Sequence, residues 1–390
     1  MSAITLLSRW MGTAQVDGLL DRSRAWVELD LSALRHNIHS LKRLLPPQMA
    51  LWAVVKANAY GHGAQLVAAE AVTAGAAGFC VATLAEGVEL REAGITIPIL
   101  ILGALNTRLE IQEAQRYQLE VTLTHLDQIP LLLQIAREQA QPLPLHMNVD
   151  TGMTRLGIPW QQAATVWADL GQLAEFDCRS LYSHFATADE PDHPQIQQQQ
   201  QRFQQVLQTL QTQGVALPAL HMDNSAATLL GSQQQVQRVR VGLAMYGLAP
   251  APHLAGKISL RPLLSVKARI THLQSVPEGT GVSYGHHYVT PRPTRLATVA
   301  IGYADGIPRR LSNWLQGLLH GQKIQQVGMI TMDQCMWDVT KVSDVQVGDV
   351  VELLGGDLTV QQWADYLGTI PYEVLCGLSA RLPRVGRDDS

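Results

Sequence analysis

Short apolar runs alternate with helix-length amphipathic segments from about residue 31 to residue 250, and this repetition constrains the fold more than any other feature of the chain. Each run has the length of a buried strand, and the segments between carry apolar residues at three- and four-residue steps. The candidate strands are 50–55, 78–82, 98–102, 119–123, 144–149, 179–183, 218–222 and 238–241. Eight such units predict an α/β fold, a (β/α)8 barrel of the TIM type, although an open doubly wound sheet of eight strands would give a similar pattern.

Several helices of this region are marked by local signals. Thr83 with Glu86 and Thr107 with Glu110 have the spacing of capping boxes, which predicts a helix start at each threonine. The glutamine-rich stretch 195–213 resembles low complexity, but its apolar residues fall on one helical face. We therefore expect an exposed helix there and assign it no function.

The pattern changes after Pro250, where a linker-like run precedes β-rich segments separated by turn residues. We predict a barrel domain over 31–255 and a C-terminal, mainly-β domain over 256–390. The segment 1–30 is expected to associate with the second domain through the strand-like run at 25–30.

The size and charge of the chain limit its class. A length of 390 residues exceeds the size at which single cores usually stop growing, so two domains are expected. A net charge of −4, without a run of five lysines or arginines, argues against a nucleic-acid partner. The four cysteines lie far apart, which predicts a reducing, cytoplasmic setting and no metal site. Because no apolar run approaches ~18 residues, we expect no membrane span, and we expect no signal peptide.

Residues 53–63, AVVKANAYGHG, place a lysine directly after the first buried run. The unperturbed pKa of lysine is about 10.4 and burial disfavours its charged form, which makes a desolvated amine a better nucleophile. Lys56 is therefore a candidate for a Schiff base. A lysine that extends its ammonium to solvent at a strand end would give the same local pattern.

Other polar side chains follow the later runs, where the active site of a parallel barrel lies. They are Asp150 and Arg155 after the fifth run, His184 after the sixth, Asn224 and Ser225 after the seventh, and Arg240 at the end of the eighth. The segments beginning at Asn224 and at Gly242 could bind an anion through backbone amides, or could be a helix cap and a tight turn.

Residues 53–63 closely resemble the cofactor-lysine motif of the alanine racemases, which use pyridoxal 5′-phosphate (PLP). Later segments resemble the same family in order, among them NSAA, RxGxxMYG, VSYGHHY and IGYADGIPRR. The resemblance extends from about residue 24 to residue 387. It implies an isomerase that interconverts L-alanine and D-alanine, a peptidoglycan precursor; a serine or broad-specificity racemase is the alternative.

The resemblance implies a two-base mechanism, since racemisation in both directions needs a proton acceptor on each face of a planar intermediate. By this resemblance, we expect Lys56 to form the internal aldimine with PLP and to be the base on the D-alanine face, and Tyr284 to be the base on the L-alanine face. For a phenol with a pKa of about 10 this needs a downward shift of ~3 units, or roughly 4 kcal/mol. The resemblance also implies that His184 contacts Tyr284 and Arg240. In the family the tyrosine reaches the cofactor of the other subunit, so the resemblance implies a homodimer.

Arg240 is the residue that the resemblance places against the pyridine nitrogen of the cofactor. Arginine can only donate hydrogen bonds, so the ring nitrogen stays unprotonated and the cofactor becomes a weaker electron sink. We expect this to suppress transamination and decarboxylation. The other implied cofactor contacts are Tyr60, His184, Asn224, Ser225, Gly242, Leu243 and Tyr372.

The substrate site is implied in the same way. Arg155, Met332 and Asp333 match the residues that bind the substrate carboxylate, for which a guanidinium fork and a backbone amide are suited. Tyr303 and Tyr372 match residues that line the substrate entrance. Selection against one extra group in such a pocket is typically worth ~1–3 kcal/mol, so we expect a preference for alanine and not an exclusion of serine.

One position departs from the family pattern. Many members have a carbamylated lysine where this chain has Asn148, two residues before Asp150. Asparagine cannot carry the negative charge that would orient Arg155. We therefore predict a bound anion such as chloride beside Asn148 and Arg155.

Two rival functions share part of these features. A PLP-dependent amino-acid decarboxylase of similar architecture would need a carboxylate at the ring nitrogen and a cysteine acid; Arg240 opposes it and Cys376 alone hardly supports it. A non-catalytic PLP carrier would need the barrel and the lysine but no β domain, and the Tyr284 segment argues against it.

Overall fold

The computed structural model describes residues 22–139, 141–231 and 236–388. Its residues form two compact units. Of the described residues, the barrel unit contains those within 33–59 and 64–261, and the β unit contains residues 22–32, 60–63 and 262–388. The domain boundaries predicted from the sequence stay a prediction.

The chain enters through strand β1 (Ala25–Asp30), followed by helix α1 (Leu31–Leu44). Eight parallel strands then form the barrel sheet: β2 (Ala50–Val54), β3 (Gly78–Val81), β4 (Ile99–Ile101), β5 (Val121–Leu123), β6 (Leu143–Asp150), β8 (Phe176–Tyr182), β9 (Ala219–His221) and β10 (Arg238–Val241), with the two-residue β7 (Ile158–Pro159) beside β6. Each of the eight strands lies at a run predicted from the sequence.

The sheet is closed into a ring. β10 pairs in parallel with β2, which joins the last strand to the first. β4 and β5 meet at a bridge, where the Ile101 amide donates to the Glu120 carbonyl at 2.9 Å and the Glu120 amide donates to the Ile99 carbonyl at 2.8 Å. The (β/α)8 prediction is thereby confirmed, and the open doubly wound alternative is wrong.

The helices of the barrel unit after α1 are α2 (Ala64–Thr73), α3 (Leu84–Glu92), α4 (Arg108–Arg116), α5 (Ile129–Gln139), α6 (Trp160–Leu170), α7 (Pro194–Thr212) and α8 (Ser225–Gly231). Both predicted capping boxes are present, at the starts of α3 and α4. α7 is the glutamine-rich helix, and its apolar face is buried as predicted at Phe203, Val206, Leu207 and Leu210. Gln199 on the same helix is fully buried as well, which the sequence did not indicate.

The β unit contains one large, mostly antiparallel sheet that includes β1. Its further strands are β11 (Leu264–Val276), β14 (Thr294–Val299), β15 (Gln316–Leu319), β16 (Gln322–Val327), β17 (Cys335–Asp338), β18 (Val350–Leu354) and β19 (Arg384–Arg387). The long β11 pairs with both β18 and β14, so six strands form a ring around buried side chains such as Trp337. β1 lies beside this ring, antiparallel to β11 and parallel to β19.

Smaller elements complete the β unit. A separate hairpin consists of β12 (Gly281–Val282) and β13 (Tyr288–Val289), and two helices follow, α9 (Val360–Leu367) and α10 (Pro371–Cys376). Within the described residues, no helix combines the length and the apolar character needed to cross a bilayer.

Candidate active site

The carboxyl ends of the barrel strands carry the side chains that the sequence analysis singled out. Lys56 follows β2, Asp150 ends β6, His184 follows β8, Asn224 follows β9, and Arg240 lies in β10. Because all eight strands are parallel, these residues share one end of the barrel. This is the end at which barrel enzymes build their active sites.

Lys56 begins a left-handed turn. Ala57, Asn58 and Ala59 have φ angles of 51°, 52° and 53°, and Tyr60 continues the turn at 53°. Such a conformation costs roughly 1–2 kcal/mol for each residue with a Cβ atom. Consecutive non-glycine residues in this region are uncommon, and strain of this kind concentrates at functional sites. The sequence did not predict this turn.

Hydrogen bonds from the barrel unit hold the strained turn. The Glu86 carboxylate accepts the Ala57 amide at 2.7 Å, and the Asn58 side-chain oxygen accepts the Ala64 amide at 2.7 Å. The Tyr246 hydroxyl donates to the carbonyl of Val54, the last residue of β2, at 2.8 Å. The main chain on both sides of Lys56 is therefore fixed, and with it the origin of the amine side chain.

Arg240 is only 3% exposed, and its guanidinium bonds in several directions. One terminal nitrogen lies 2.6 Å from Nδ1 of His221. The other donates to the Ser183 carbonyl at 2.7 Å, lies 3.1 Å from Nδ1 of His184, and reaches the Met222 carbonyl at 3.3 Å. The guanidinium also lies over the Tyr182 ring, 5.0 Å from its centroid. Burial lowers the pKa of Arg240, yet an arginine stays charged at neutral pH.

His184 is a neutral imidazole with a defined tautomer. Because Arg240 can only donate, Nδ1 of His184 accepts, and the proton of the neutral ring lies on Nε2. Burial lowers the pKa of His184 to about 3, with further contributions from the positive charges of Arg240, Arg155 and Lys56. His184 therefore offers an N–H donor and not a positive charge.

A small polar cradle lies where β9 and β10 end. The Ser225 hydroxyl oxygen accepts the amides of Gly242 at 3.0 Å and Ala244 at 3.4 Å. With its acceptor positions engaged, this hydroxyl can direct its own proton outward. Asn224 caps α8 by accepting the Ala227 amide at 3.0 Å, and Leu243 lies in the adjoining 3-10 turn and is buried. Asn224 therefore caps α8, as one of the two interpretations of this segment predicted, and anion binding by this segment stays a prediction.

Arg155 lies in the exposed loop that follows β6. The Asp150 carboxylate accepts the amides of Gly152 at 2.9 Å and Thr154 at 3.0 Å, which shapes the start of that loop. Asn148 lies within β6, opposite Tyr182 of β8, and is partly buried.

Helix α7 fastens this loop to the loop that carries His184. The Gln199 amide nitrogen donates to the Thr151 hydroxyl at 3.1 Å and to the His184 carbonyl at 2.8 Å, and its oxygen accepts the Ala186 amide at 2.9 Å. Arg202, one turn further along the helix, donates to the Thr151 carbonyl at 2.8 Å. The glutamine-rich helix thus has a role at the site that its composition did not reveal.

The β unit holds the remaining predicted residues. The ring centroids of Tyr60 and Tyr372 lie 5.7 Å apart at a tilt of 48°, so the two aromatic side chains pack against each other. The Arg384 guanidinium donates to the Gly61 carbonyl at 3.0 Å and anchors this short segment. At Gly61, where φ is +78°, an added Cβ would lie 2.2 Å from the Leu375 carbonyl oxygen, so no larger residue fits without a backbone shift.

Tyr303 and Met332 lie on adjoining segments of the β unit. The Tyr303 amide donates to the Thr331 carbonyl and the Ala304 amide to the Met332 carbonyl, both at 3.0 Å. The side chains of Tyr303 and Met332 are 42% and 53% exposed. Asp333, beside Met332, pairs with Arg381 at 2.8 Å.

Tyr284 lies between β12 and β13 and is 73% exposed. The preceding Ser283 has a φ of 64° and donates its hydroxyl to the Met329 carbonyl at 2.8 Å, which fixes the tip of the hairpin. The exposed phenol is therefore carried on an anchored turn. Among the residues that the structure describes, no group of three His, Cys, Asp or Glu side chains could hold a metal ion.

Comparison with known proteins agrees with this architecture. The chain matches the family model "Alanine racemase, N-terminal domain" over residues 29–250 and "Alanine racemase, C-terminal domain" over residues 263–386. An alanine racemase of Nostoc sp. is 50% identical over 370 residues, which cover 93% of this chain and 96% of that relative.

Solved structures agree as well. The alanine racemase of Clostridium difficile 630 has a TM-score of 0.90 at 34% identity, over 94% of this chain and 97% of that one. The alanine racemase of Bartonella henselae, solved with covalently bound pyridoxal phosphate, has a TM-score of 0.83 at 29% identity, over 94% of this chain and 100% of that one. The chain therefore belongs to the alanine racemase family of isomerases.

Proposed function

We propose that this protein interconverts L-alanine and D-alanine with PLP, using Lys56 and Tyr284 as bases on opposite faces of the substrate. The observation that carries the proposal is the buried Arg240, which shares one end of the barrel with Lys56 and donates a hydrogen bond to His184. A guanidinium at this place suits a cofactor whose ring nitrogen accepts a hydrogen bond. The decarboxylase alternative would need a carboxylate there.

The residues present fit the cofactor. When bound, PLP takes up an amine through its aldehyde and draws electrons from the α-carbon of the substrate, which makes the α-proton acidic. Lys56 would supply the amine, and Arg240 would donate to the ring nitrogen. The phosphate would be bound by hydroxyl and backbone donors from Tyr60, Asn224, Ser225, Gly242 and Leu243, and Tyr372 and His184 would flank the cofactor.

Each base has its own support. Lys56 would hold and return the α-proton at Nζ on the D-alanine face, from a main chain that the left-handed turn fixes. Tyr284 would do so at its phenol oxygen on the L-alanine face. Since His184 is neutral, it would assist Tyr284 by donating its Nε2 proton to the phenol oxygen and not by its charge.

Substrate binding is assigned to Arg155, Met332 and Asp333 at the carboxylate, with Tyr303 and Tyr372 limiting the side chain. A chloride or similar anion beside Asn148 would orient Arg155. Crystals grown in bromide would test this: we expect anomalous density between Asn148 and Arg155, and water alone would contradict it. The preference for alanine over serine would depend on Tyr303 and Tyr372. A broad-specificity racemase therefore stays the second candidate.

We further propose a homodimer in which Tyr284 serves the partner's site, in a cytoplasmic enzyme that supplies D-alanine for peptidoglycan. Co-expression of Lys56→Ala with Tyr284→Phe tests the shared site. Mixed dimers would contain one intact site, so activity should exceed that of either single variant. If the mixture is no more active than the single variants, sites built from two subunits are excluded.

The activity itself is tested by following solvent deuterium into the α-position of L-alanine and L-serine. We expect exchange with alanine to be faster, and a visible absorbance band that borohydride abolishes in the wild type and that Lys56→Ala lacks. Lys56→Ala and Tyr284→Phe should each remove exchange from one enantiomer more than from the other. Equal exchange of both enantiomers after either substitution would refute the two-base assignment.

A further inference from the structure

A chain of buried polar side chains continues from Arg240 through the interior of the barrel. Arg240 lies 2.6 Å from Nδ1 of His221, and Nε2 of His221 lies 2.8 Å from the Ser180 hydroxyl. The same hydroxyl lies 2.5 Å from Nδ1 of His146, and Nε2 of His146 lies 2.8 Å from the Glu120 carboxylate. None of the five residues is more than 7% exposed.

The chemistry of the groups fixes the direction of every bond in the chain. Arg240 can only donate, so His221 accepts at Nδ1 and carries its proton on Nε2. That proton is donated to Ser180, whose hydroxyl then donates to Nδ1 of His146. His146 in turn carries its proton on Nε2 and donates it to Glu120. Each group therefore donates to the next, from the guanidinium to the carboxylate.

The charges agree with this direction. Burial holds the pKa of His146 below its usual value, and burial together with the charge of Arg240 holds the pKa of His221 well below it. Burial opposes ionisation of Glu120, but the hydrogen bond from His146 and the nearby guanidinium groups of Arg179 and Arg238 leave its pKa lowered. The chain thus has a cation at one end, an anion at the other, and neutral groups between.

We propose that Glu120, His146, Ser180 and His221 are positioning residues for Arg240. Together they orient its guanidinium, and Glu120 supplies a negative counter-charge at a distance. The inference rests on the proposed contact between Arg240 and the cofactor. A carboxylate placed directly beside the guanidinium would occupy two of its N–H groups in a bidentate pair. The chain engages only one terminal nitrogen with the imidazole and leaves more donors for the carbonyls, for His184 and for the ring nitrogen.

A purely structural role would not need these residues. The interior of such a barrel is usually filled by branched apolar side chains, and replacing buried charged groups by apolar ones is often neutral or stabilising. Four consecutive polar groups in the packed interior, each satisfied by the next, instead specify one orientation of the guanidinium.

The first test reads the tautomers directly, in the cofactor-free protein. Nitrogen-15 NMR of histidine-labelled protein, assigned with His146→Gln and His221→Gln, should show both rings neutral at pH 7 with the proton on Nε2. A proton on Nδ1 of either ring, or a doubly protonated ring, would overturn the proposal. This result does not depend on catalysis.

The second test compares Ser180→Ala, which interrupts the chain, with Ser40→Ala, which removes a buried hydroxyl of α1 that bonds Arg43. In the holoenzyme, Ser180→Ala should lower kcat by about tenfold to a hundredfold and shift the cofactor's absorption maximum, with the KM for alanine nearly unchanged. Glu120→Gln, which keeps an acceptor but loses the charge, should have a smaller effect in the same direction. Ser40→Ala should leave kcat and the spectrum unchanged.

Two results are decisive against the chain as a positioning device. If Ser180→Ala loses thermal stability while kcat and the absorption spectrum stay as in the wild type, these buried polar residues only pack the core. If both serine variants change kcat equally, the effect does not come from the chain. A wild type that neither binds PLP nor exchanges the α-proton would instead refute the proposed function and with it this role of Arg240, whatever the tautomers are.

Discussion

The bond from Ala57 to Glu86 can be isolated, because the chain contains two nearly identical capping boxes. In both, the threonine hydroxyl accepts the glutamate amide at 3.3 Å, and the glutamate carboxylate accepts the two amides at the start of the helix. Only Glu86 also accepts an amide from the lysine turn, that of Ala57 at 2.7 Å. Glu110→Ala therefore removes a cap, whereas Glu86→Ala removes a cap and the support of the turn.

The expected magnitudes follow from these bonds. Loss of a helix cap costs about 1 kcal/mol, and this applies to both variants. A hydrogen bond to a charged group contributes about 1.5–3 kcal/mol, and the left-handed residues have an intrinsic tendency to relax once it is lost. Glu86→Ala should therefore weaken the hold on Lys56 by at least about 1.5 kcal/mol, which corresponds to about tenfold in cofactor affinity.

The assay is titration of the cofactor-free protein with PLP, followed by absorbance. We expect the apparent Kd to rise about tenfold or more in Glu86→Ala and by less than about twofold in Glu110→Ala. Glu86→Gln, which keeps one acceptor oxygen, should lie between the wild type and Glu86→Ala. Equal losses of affinity in Glu86→Ala and Glu110→Ala would refute the argument that the carboxylate holds the lysine turn.

Three further outcomes are expected. In the folded protein the pKa of His184 is about 3 and that of His221 is well below its usual value. Below the unfolded-state pKa of about 6.5, the unfolded protein therefore binds more protons than the folded protein does. The Tm of the cofactor-free protein should fall as the pH is lowered from 7 to 5, and a Tm that stays constant would contradict this. Gln199→Leu should lower the free energy of unfolding by about 2–3 kcal/mol and reduce kcat, whereas the exposed Gln197→Leu should change neither in calorimetry and exchange assays. The fully buried Asp305 carboxylate accepts two hydrogen bonds from Arg24, at 2.7 and 3.0 Å. Asp305→Asn removes its charge and should lower the free energy of unfolding in urea by about 3 kcal/mol. A loss below about 1 kcal/mol would show that the ion pair contributes little to stability.

Local patterns account for the parts of the fold that the sequence predicted well. Each barrel strand is a short apolar run, and buried parallel strands require such runs on both faces. The starts of α3 and α4 were predictable because a capping box involves residues only three apart. The closed barrel was one of two topologies compatible with the pattern, since closure depends on the pairing of β10 with β2 and of β4 with β5, which are distant or weakly marked in sequence.

The missed features depend on contacts that no local pattern contains. From Glu120 to Arg240, successive hydrogen-bonded partners are separated in the sequence by 26, 34, 41 and 19 positions, so no motif spacing connects them. Gln199 is one glutamine among many, and only its contacts with two loops distinguish it. The left-handed turn after Lys56 is made of residues that rarely adopt it, although Gly61 and Gly63 were a sign of unusual backbone. The roles of the individual site residues stay predictions.

The position of β1 between β11 and β19 has a consequence for how the protein is made. Residues 25–30 leave the ribosome before the barrel but find their hydrogen-bonding partners only when residues 264–268 and 384–387 have been synthesised. The barrel strands, which lie between them in the chain, can pair during that interval. A fragment beginning at residue 256 would lack β1 and would expose the unpaired edges of β11 and β19. We therefore expect it to aggregate unless residues 22–32 are supplied with it.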